Sequence, residues 1–306
     1  MLGPIHYDPA TIERACGVHA AAYAARKQRG GRSNQQGSSF ETAYAAYRIA
    51  LAGYRACQEP EAEDDIWFQA QTGGFIDDLA IVTAQDTALA QAKSGVVSWH
   101  AGDHPLADDF RLQRQLDQEA GRTARYELVV ASDEYAGAMH ASRPDDLADI
   151  SVTAFRCDGK NWLDLFVAHP DLREALDAIS LRRPQTIVRE QTFQLILGWW
   201  LHHGCCGHLR AMMLELAERP DALVRVPGPD YALSAEVAAA LANVVGLVWS
   251  ISGRHFAYEV GNLKGWAAFL CGSDRFQRFE RFMLEEHPTE WKRVVEELRT
   301  ESDDDR

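Results

Sequence analysis

Four polar residues stand where apolar strands would not be expected to hold them. In TALAQAKSG (87–95), Gln91 and Lys93 interrupt a run of Ala and Leu. A spacing of two puts both side chains on one face of a strand. Burying an unpaired ammonium is costly, so a central strand would need a partner anion or a bound phosphate, whereas at a sheet edge the same Lys would be a solvated guard. GFIDDLAIVT (74–83) shows the same anomaly in Asp77 and Asp78. Adjacent carboxylates on a strand face opposite ways, so only one of them joins a given site. Either strand alone reads equally well as an exposed ribbon.

Together these residues suit phosphodiester cleavage. That reaction needs a hard cation held by carboxylate oxygens, which polarises the phosphate and generates hydroxide from water. Asp78 would be the principal ligand, with Asp77 as the alternative. Gln91 would offer an amide oxygen where such sites often have a second carboxylate. Lys93 would orient the attacking water and stabilise charge developing on the phosphate. Glu41, near the start of FETAYAAYRIALAGYRA (40–56), would reach the same metal from above.

The elements that must position these residues follow from periodicity. RKQRGGRSNQQGSS (26–39) is polar and rich in Gly and Ser, which predicts a loop. It leads into a helix capped by Ser38 or Ser39 with Glu41 in its first turn. After EPEAEDD (59–65), the segments 66–71, 74–83 and 87–95 read as antiparallel strands separated by turn residues. A helix over 107–121 and a buried strand over 123–132 complete an α/β unit. Beyond about 135 the pattern reads as helical, including 171–180, 192–203, 209–219, 234–252 and 276–300. This predicts a core over 1–135 and a helical domain over 136–306 for recognition, assembly or partner binding.

The order of these motifs resembles the PD-(D/E)xK nuclease superfamily: an acidic residue in FETAYAAYRIAL, an Asp in GGFIDDLAI, and a Q-x-K form of the signature in ALAQAKS. It is similar in particular to the double-stranded DNA endonuclease domains of bacterial antiphage effectors of the CBASS type. The likeness covers roughly residues 35–135, and Gln91 departs from the acidic residue in the superfamily's name. It implies a restriction-endonuclease-like α/β core with a central mixed sheet, Mg²⁺ or Mn²⁺ as cofactor, and cleavage of double-stranded DNA in host defence, switched on by a signal or partner. The metal ligands it implies are Glu41, Asp78 and Gln91, with Asp77 as the alternative to Asp78. The rival reading is a noncatalytic adaptor that keeps a nuclease-like fold.

Composition narrows the field. The 306 residues carry 31 basic and 45 acidic side chains, a net charge of −14, which excludes a nonspecific coat for nucleic acid. Arg14, Arg26, Lys27, Arg29 and Arg32 nevertheless concentrate positive charge before residue 40. No apolar run reaches the about 20 residues that span a bilayer, and the N-terminus has no apolar signal core, so the expectation is a cytoplasmic protein that does not enter membranes. The six scattered cysteines suggest reduced thiols. WWLHHGCCGHLR (199–210) gathers His and Cys, but its spacing favours a structural turn over zinc. Trp99 and His100 read as strand-end packing, with a proton shuttle at His100 as the sharper alternative. Arg182, Arg183 and Arg189 read as a solvated face, with a DNA channel or an acidic partner subunit as the sharper alternatives. The nearly all-apolar SAEVAAALANVVGLVWSIS (234–252) predicts a buried or homo-oligomer-forming helix. No GxxxxGK[ST] phosphate loop is present.

Overall fold

The apolar stretches between residues 66 and 132 form the centre of a mixed sheet in a computed structural model, which describes residues 3–34, 39–59, 65–102, 104–157, 161–219 and 224–299, with 29–34 described for the backbone alone. Helices α1 (Pro9–Cys16), α2 (Val18–Asn34) and α3 (Ser39–Gln58) precede strands β1 (Trp67–Gln69), β2 (Leu79–Val82) and β3 (Thr87–Lys93). Next come α4 (Leu106–Glu119), β4 (Ala124–Val130), α5 (Asp133–Ala141), β5 (Ser151–Ala154), α6 (Trp162–Ala168), α7 (Pro170–Ile179), α8 (Thr186–His202), β6 (Cys206–His208) and α9 (Leu209–Ala217). The chain continues through α10 (Ala235–Ala242), β7 (Val248–Ser252), β8 (His255–Val260), β9 (Leu263–Leu270), α11 (Asp274–Glu286) and α12 (Trp291–Arg299).

Six strands pair in the order β5-β4-β3-β2-β1-β6. The β3/β4 and β4/β5 pairs are parallel, and the other three are antiparallel. Strand β3 is therefore central. Its period-2 alternation divides it between two cores: Ala90 and Ala92 pack with Phe40, Ile49 and the α7–α9 helices, while Leu89 packs with Phe110, Leu116, Leu128 and Val130 on the other face. The result is a three-layer α/β unit, with α3 on one face and α4 on the opposite one.

Several expectations change. The polar stretch 26–39 is helical as far as Asn34, because Ala-rich VHAAAYAA starts α2 and Lys, Gln and Arg propagate it. The capping position Ser38 lies outside the described residues, as do the side chains of Arg29 and Arg32. Of the expected strand 74–83, only Leu79–Val82 joins the ladder. Residues 74–78 instead form an irregular approach after Gly73 at φ +83°, where a Cβ on Gly74 would run into Gln113 Oε1. The apolar stretch 234–252 is not one helix. Helix α10, capped by the Ser234 side chain, ends before Gly246 at φ +77°, and Val248–Ser252 opens a three-stranded antiparallel sheet, β7-β8-β9. The chain beyond 135 thus carries five strands, β5–β9, among its helices. The stretch 276–300 likewise divides into α11 and α12, with His287 left-handed between them at φ +45°.

A boundary at 135 would cut through the six-stranded sheet, since β5 and β6 come from later sequence and one apolar cluster runs from Phe40 to Val224. A second centre forms around β7–β9, where Val237, Leu241 and Val244 pack with Phe256, Phe276 and Phe279. That burial accounts for most of the apolar stripe; Val245 and Val248 stay exposed. Among the described residues, no helix is long and apolar enough to cross a membrane.

Candidate functional site

The site lies where β2 leaves the sheet. The ladder between β2 and β3 begins with Leu79 opposite Ala90, so the backbone N–H of Ala92 lies beyond it. The Asp78 carboxylate takes that position: Ala92 N donates to Oδ2 at 2.8 Å. The Gln91 amide donates to the same oxygen, and Lys93 Nζ lies 3.3 Å from it. Three of the residues singled out in the sequence, Asp78, Gln91 and Lys93, are therefore in direct contact. Gln91 is fully buried and Asp78 nearly so, while the Lys93 side chain is 33 % exposed. The site has a closed back and an open front.

Helix α4 fixes the approach to Asp78. Gln113 Oε1 accepts from Phe75 N at 2.7 Å and from Ile76 N at 3.1 Å, replacing the ladder bonds that residues 74–78 lack. Gln71 N donates to Asp77 O at 2.6 Å and closes the segment on itself.

Asp77 meets Lys27 of α2, a residue in the stretch whose composition predicts a loop. Lys27 Nζ donates to Phe75 O and to Gln91 Oε1 (3.1 Å), and it lies 3.3 Å from Asp77 Oδ1 and 3.5 Å from Asp109 Oδ2. Tyr23, one helical turn before Lys27, donates to Asp109 Oδ2 at 3.2 Å and stacks on His104 with ring centres 3.6 Å apart. Burial would lower the Lys27 ammonium, but the carboxylates of Asp77, Asp109 and Asp78 outweigh it and hold the group above its ordinary value. Burial pushes the Asp77 carboxyl up to about 6 against the pull of Lys27, with Asp78 adding to the rise. Asp109 is raised by burial too. The 3.3 Å approach to Asp77 Oδ1 lacks hydrogen-bond geometry, and Asp109 Oδ1 is likewise buried without a donor. The signal available in the sequence was the i, i+4 pair Tyr23 and Lys27 on an alanine-rich helix.

Glu41 is in the first turn of α3, half-buried. That helix covers the face of β3 carrying Ala90 and Ala92, whereas Gln91 and Lys93 face the other way. Glu41 therefore belongs to the face of β3 opposite the Asp78, Gln91 and Lys93 contacts. The expected metal donors do not fit a divalent ion in this arrangement. Asp78 Oδ2 already has three donors, and the Gln91 oxygen is turned to Lys27. Among the described residues, no group of three or more His, Cys, Asp or Glu side chains could hold a metal.

The other candidates resolve into local structure. Trp99 is buried and donates to Met139 O at 2.7 Å, while His100 is exposed. His203 and Trp199 both reach Glu215, His208 pairs with Asp65 at 2.7 Å, and Cys206–His208 is edge strand β6. No disulfide joins any of the six cysteines. Arg189 is held by both oxygens of Asp177, at 2.7 Å each. Of the N-terminal basic residues, Arg14 pairs with Glu119 and Lys27 points inward, so the cluster is smaller than its sequence suggests.

No protein-family model matches the chain, and no curated protein or solved structure matches it.

Proposed function

We propose that this chain is a nuclease of the PD-(D/E)xK type, cutting DNA with Asp78, Gln91 and Lys93 at its centre. The observation that carries this reading is the Lys93 ammonium, 3.3 Å from a carboxylate fixed by two further donors and partly open to solvent at the end of a central strand. A cation so placed stabilises charge developing on a scissile phosphate without reorganising. The backbone N–H of Ala92 and the Gln91 amide hold Asp78 in register with it. On this reading Mg²⁺ or Mn²⁺ is the cofactor and double-stranded DNA is the substrate, while Glu41, across the sheet on α3, stands apart from the set. Homo-oligomerisation or a partner protein of a defence system would switch it on, since a net charge of −14 opposes DNA approach.

The test is purified protein with plasmid DNA or RNA, in Mg²⁺, Mn²⁺ or chelator. Lys93→Ala, folded by circular dichroism, should cut about 100-fold more slowly or worse. Equal rates for the variant and the wild type would remove Lys93 from the site. The inward pairing of the carboxylates favours a second reading, a noncatalytic adaptor with a nuclease-like fold. It predicts no metal-dependent cutting under any of these conditions.

A further inference from the structure

Part of the misfit of the metal donors, the turned Gln91 oxygen, originates on α2. We infer that Lys27 is a tethered cation: its ammonium fills the position between Asp77, Asp109 and Gln91, and it keeps a divalent ion out of that position while α2 is seated. Four oxygens from four residues surround Nζ: Phe75 O, Gln91 Oε1, Asp77 Oδ1 and Asp109 Oδ2. Such an all-oxygen shell of carboxylate, amide and backbone carbonyl is what hard cations select. Asp77 and Asp109 are 2 % and 7 % exposed, and each keeps a buried oxygen with no hydrogen-bond donor. The carboxylates are thus under-satisfied by the single charge they share.

Lys27 also sets Gln91. With Oε1 bound to the ammonium, the amide N–H₂ is directed to Asp78, and the oxygen is withdrawn from any ion there. Apart from the contacts of Tyr23 and Lys27, helix α2 buries little: among its described side chains Ala24 is the fully buried one, and Val18 is 61 % exposed. Lifting α2 would remove the ammonium, free the Gln91 oxygen and leave two buried carboxylates needing a cation. The inference rests on the nuclease reading only for why cation entry matters; cation binding itself is measured without nucleic acid.

Mn²⁺ binding to the full chain, followed by electron paramagnetic resonance, tests it. Lys27→Met and Lys27→Gln should each bind Mn²⁺ about tenfold more tightly than wild type or better, because buried carboxylates without a counter-charge favour cation uptake. Adding Asp109→Asn to either variant should abolish the gain. If a folded Lys27 variant binds Mn²⁺ no more tightly than wild type, the inference is overturned. Asp109→Asn alone gives a test that does not depend on those variants folding: with Lys27 in place, it should leave Mn²⁺ affinity unchanged. A loss of affinity would mean that the pocket holds metal beside Lys27, which also overturns the inference. A normal cleavage profile together with either negative result would leave the nuclease reading standing.

Discussion

Asp117 and Asp109 lie eight residues apart on α4 and serve the same face of the sheet, yet their surroundings differ. Asp117 accepts from Tyr7, from Tyr126 at 2.9 Å, from Gln113 at 3.1 Å and from Arg122 at 3.3 Å. Every donor is local protein, and both oxygens are used. Asp109 shares one Lys with Asp77, accepts from one Tyr, and leaves an oxygen without a donor. The two clusters are joined by Gln113, whose amide N–H₂ donates to Tyr7 and Asp117 while its oxygen holds Phe75 and Ile76. A satisfied buried carboxylate braces the fold; one left short of donors marks a place kept for chemistry.

Breaking the satisfied cluster should have the larger effect. Asp117→Ala strands two phenols, an amide and a guanidinium, and should cost about 3 kcal/mol or more in urea unfolding. A loss below 1 kcal/mol would make the comparison groundless.

Acid titration extends the comparison to the C-terminal sheet. Burial holds the His255 imidazole down to about 4, below its usual 6.5, and its Nε2 has no partner. The unfolded chain therefore binds the proton more readily. The stability that depends on neutral His255 is complete above 6.5 and is lost as pH falls toward 4, by up to roughly 3 kcal/mol. Asp77, raised to about 6, acts in the opposite sense: its contribution falls as pH rises from 3.8 to 6. His255→Phe should lose less stability than wild type on acidification from pH 7 to 4, as read from denaturant midpoints. Parallel curves for the two proteins would refute this.

Asp109→Asn should give the smallest change, within about 1 kcal/mol, because removing an under-satisfied buried charge relieves desolvation while it loses a 3.5 Å ion pair. A cost matching that of Asp117→Ala would erase the distinction between the clusters.

The sequence exposed part of this arrangement for a physical reason. Gln91 and Lys93 were visible because period-2 spacing places side chains without knowledge of the partner strand, and polar residues stand out on an apolar background. The choice between Asp77 and Asp78 was not, since it depends on where β2 departs from β3. Lys27 was hidden because Gly30, Gly31 and the charges around it imitate a loop, while the helix is anchored by contacts to residues far along the chain. The strands β7–β9 carried a usable signal that the apolar run obscured: VWSIS, HFAYEV and LKGWAAFL are separated by turns with Gly253 and Gly261 at φ +58° and +56°. The short edge strands β5 and β6 carried almost none.

The pairing of β6 with β1, His208 opposite Trp67, has a consequence for biogenesis. All the residues that meet at Asp78 are synthesised before the sheet can close, because β5 and β6 arrive later in translation. In the interval the free edges of β1 and β4 are templates for strand pairing with other nascent chains, and the outer surface of α3 awaits its cover of α7, α8 and α9. Closure by so distant a contact is entropically slow. The pace of the ribosome through the second half of the message therefore bears on the yield of a site encoded entirely in the first.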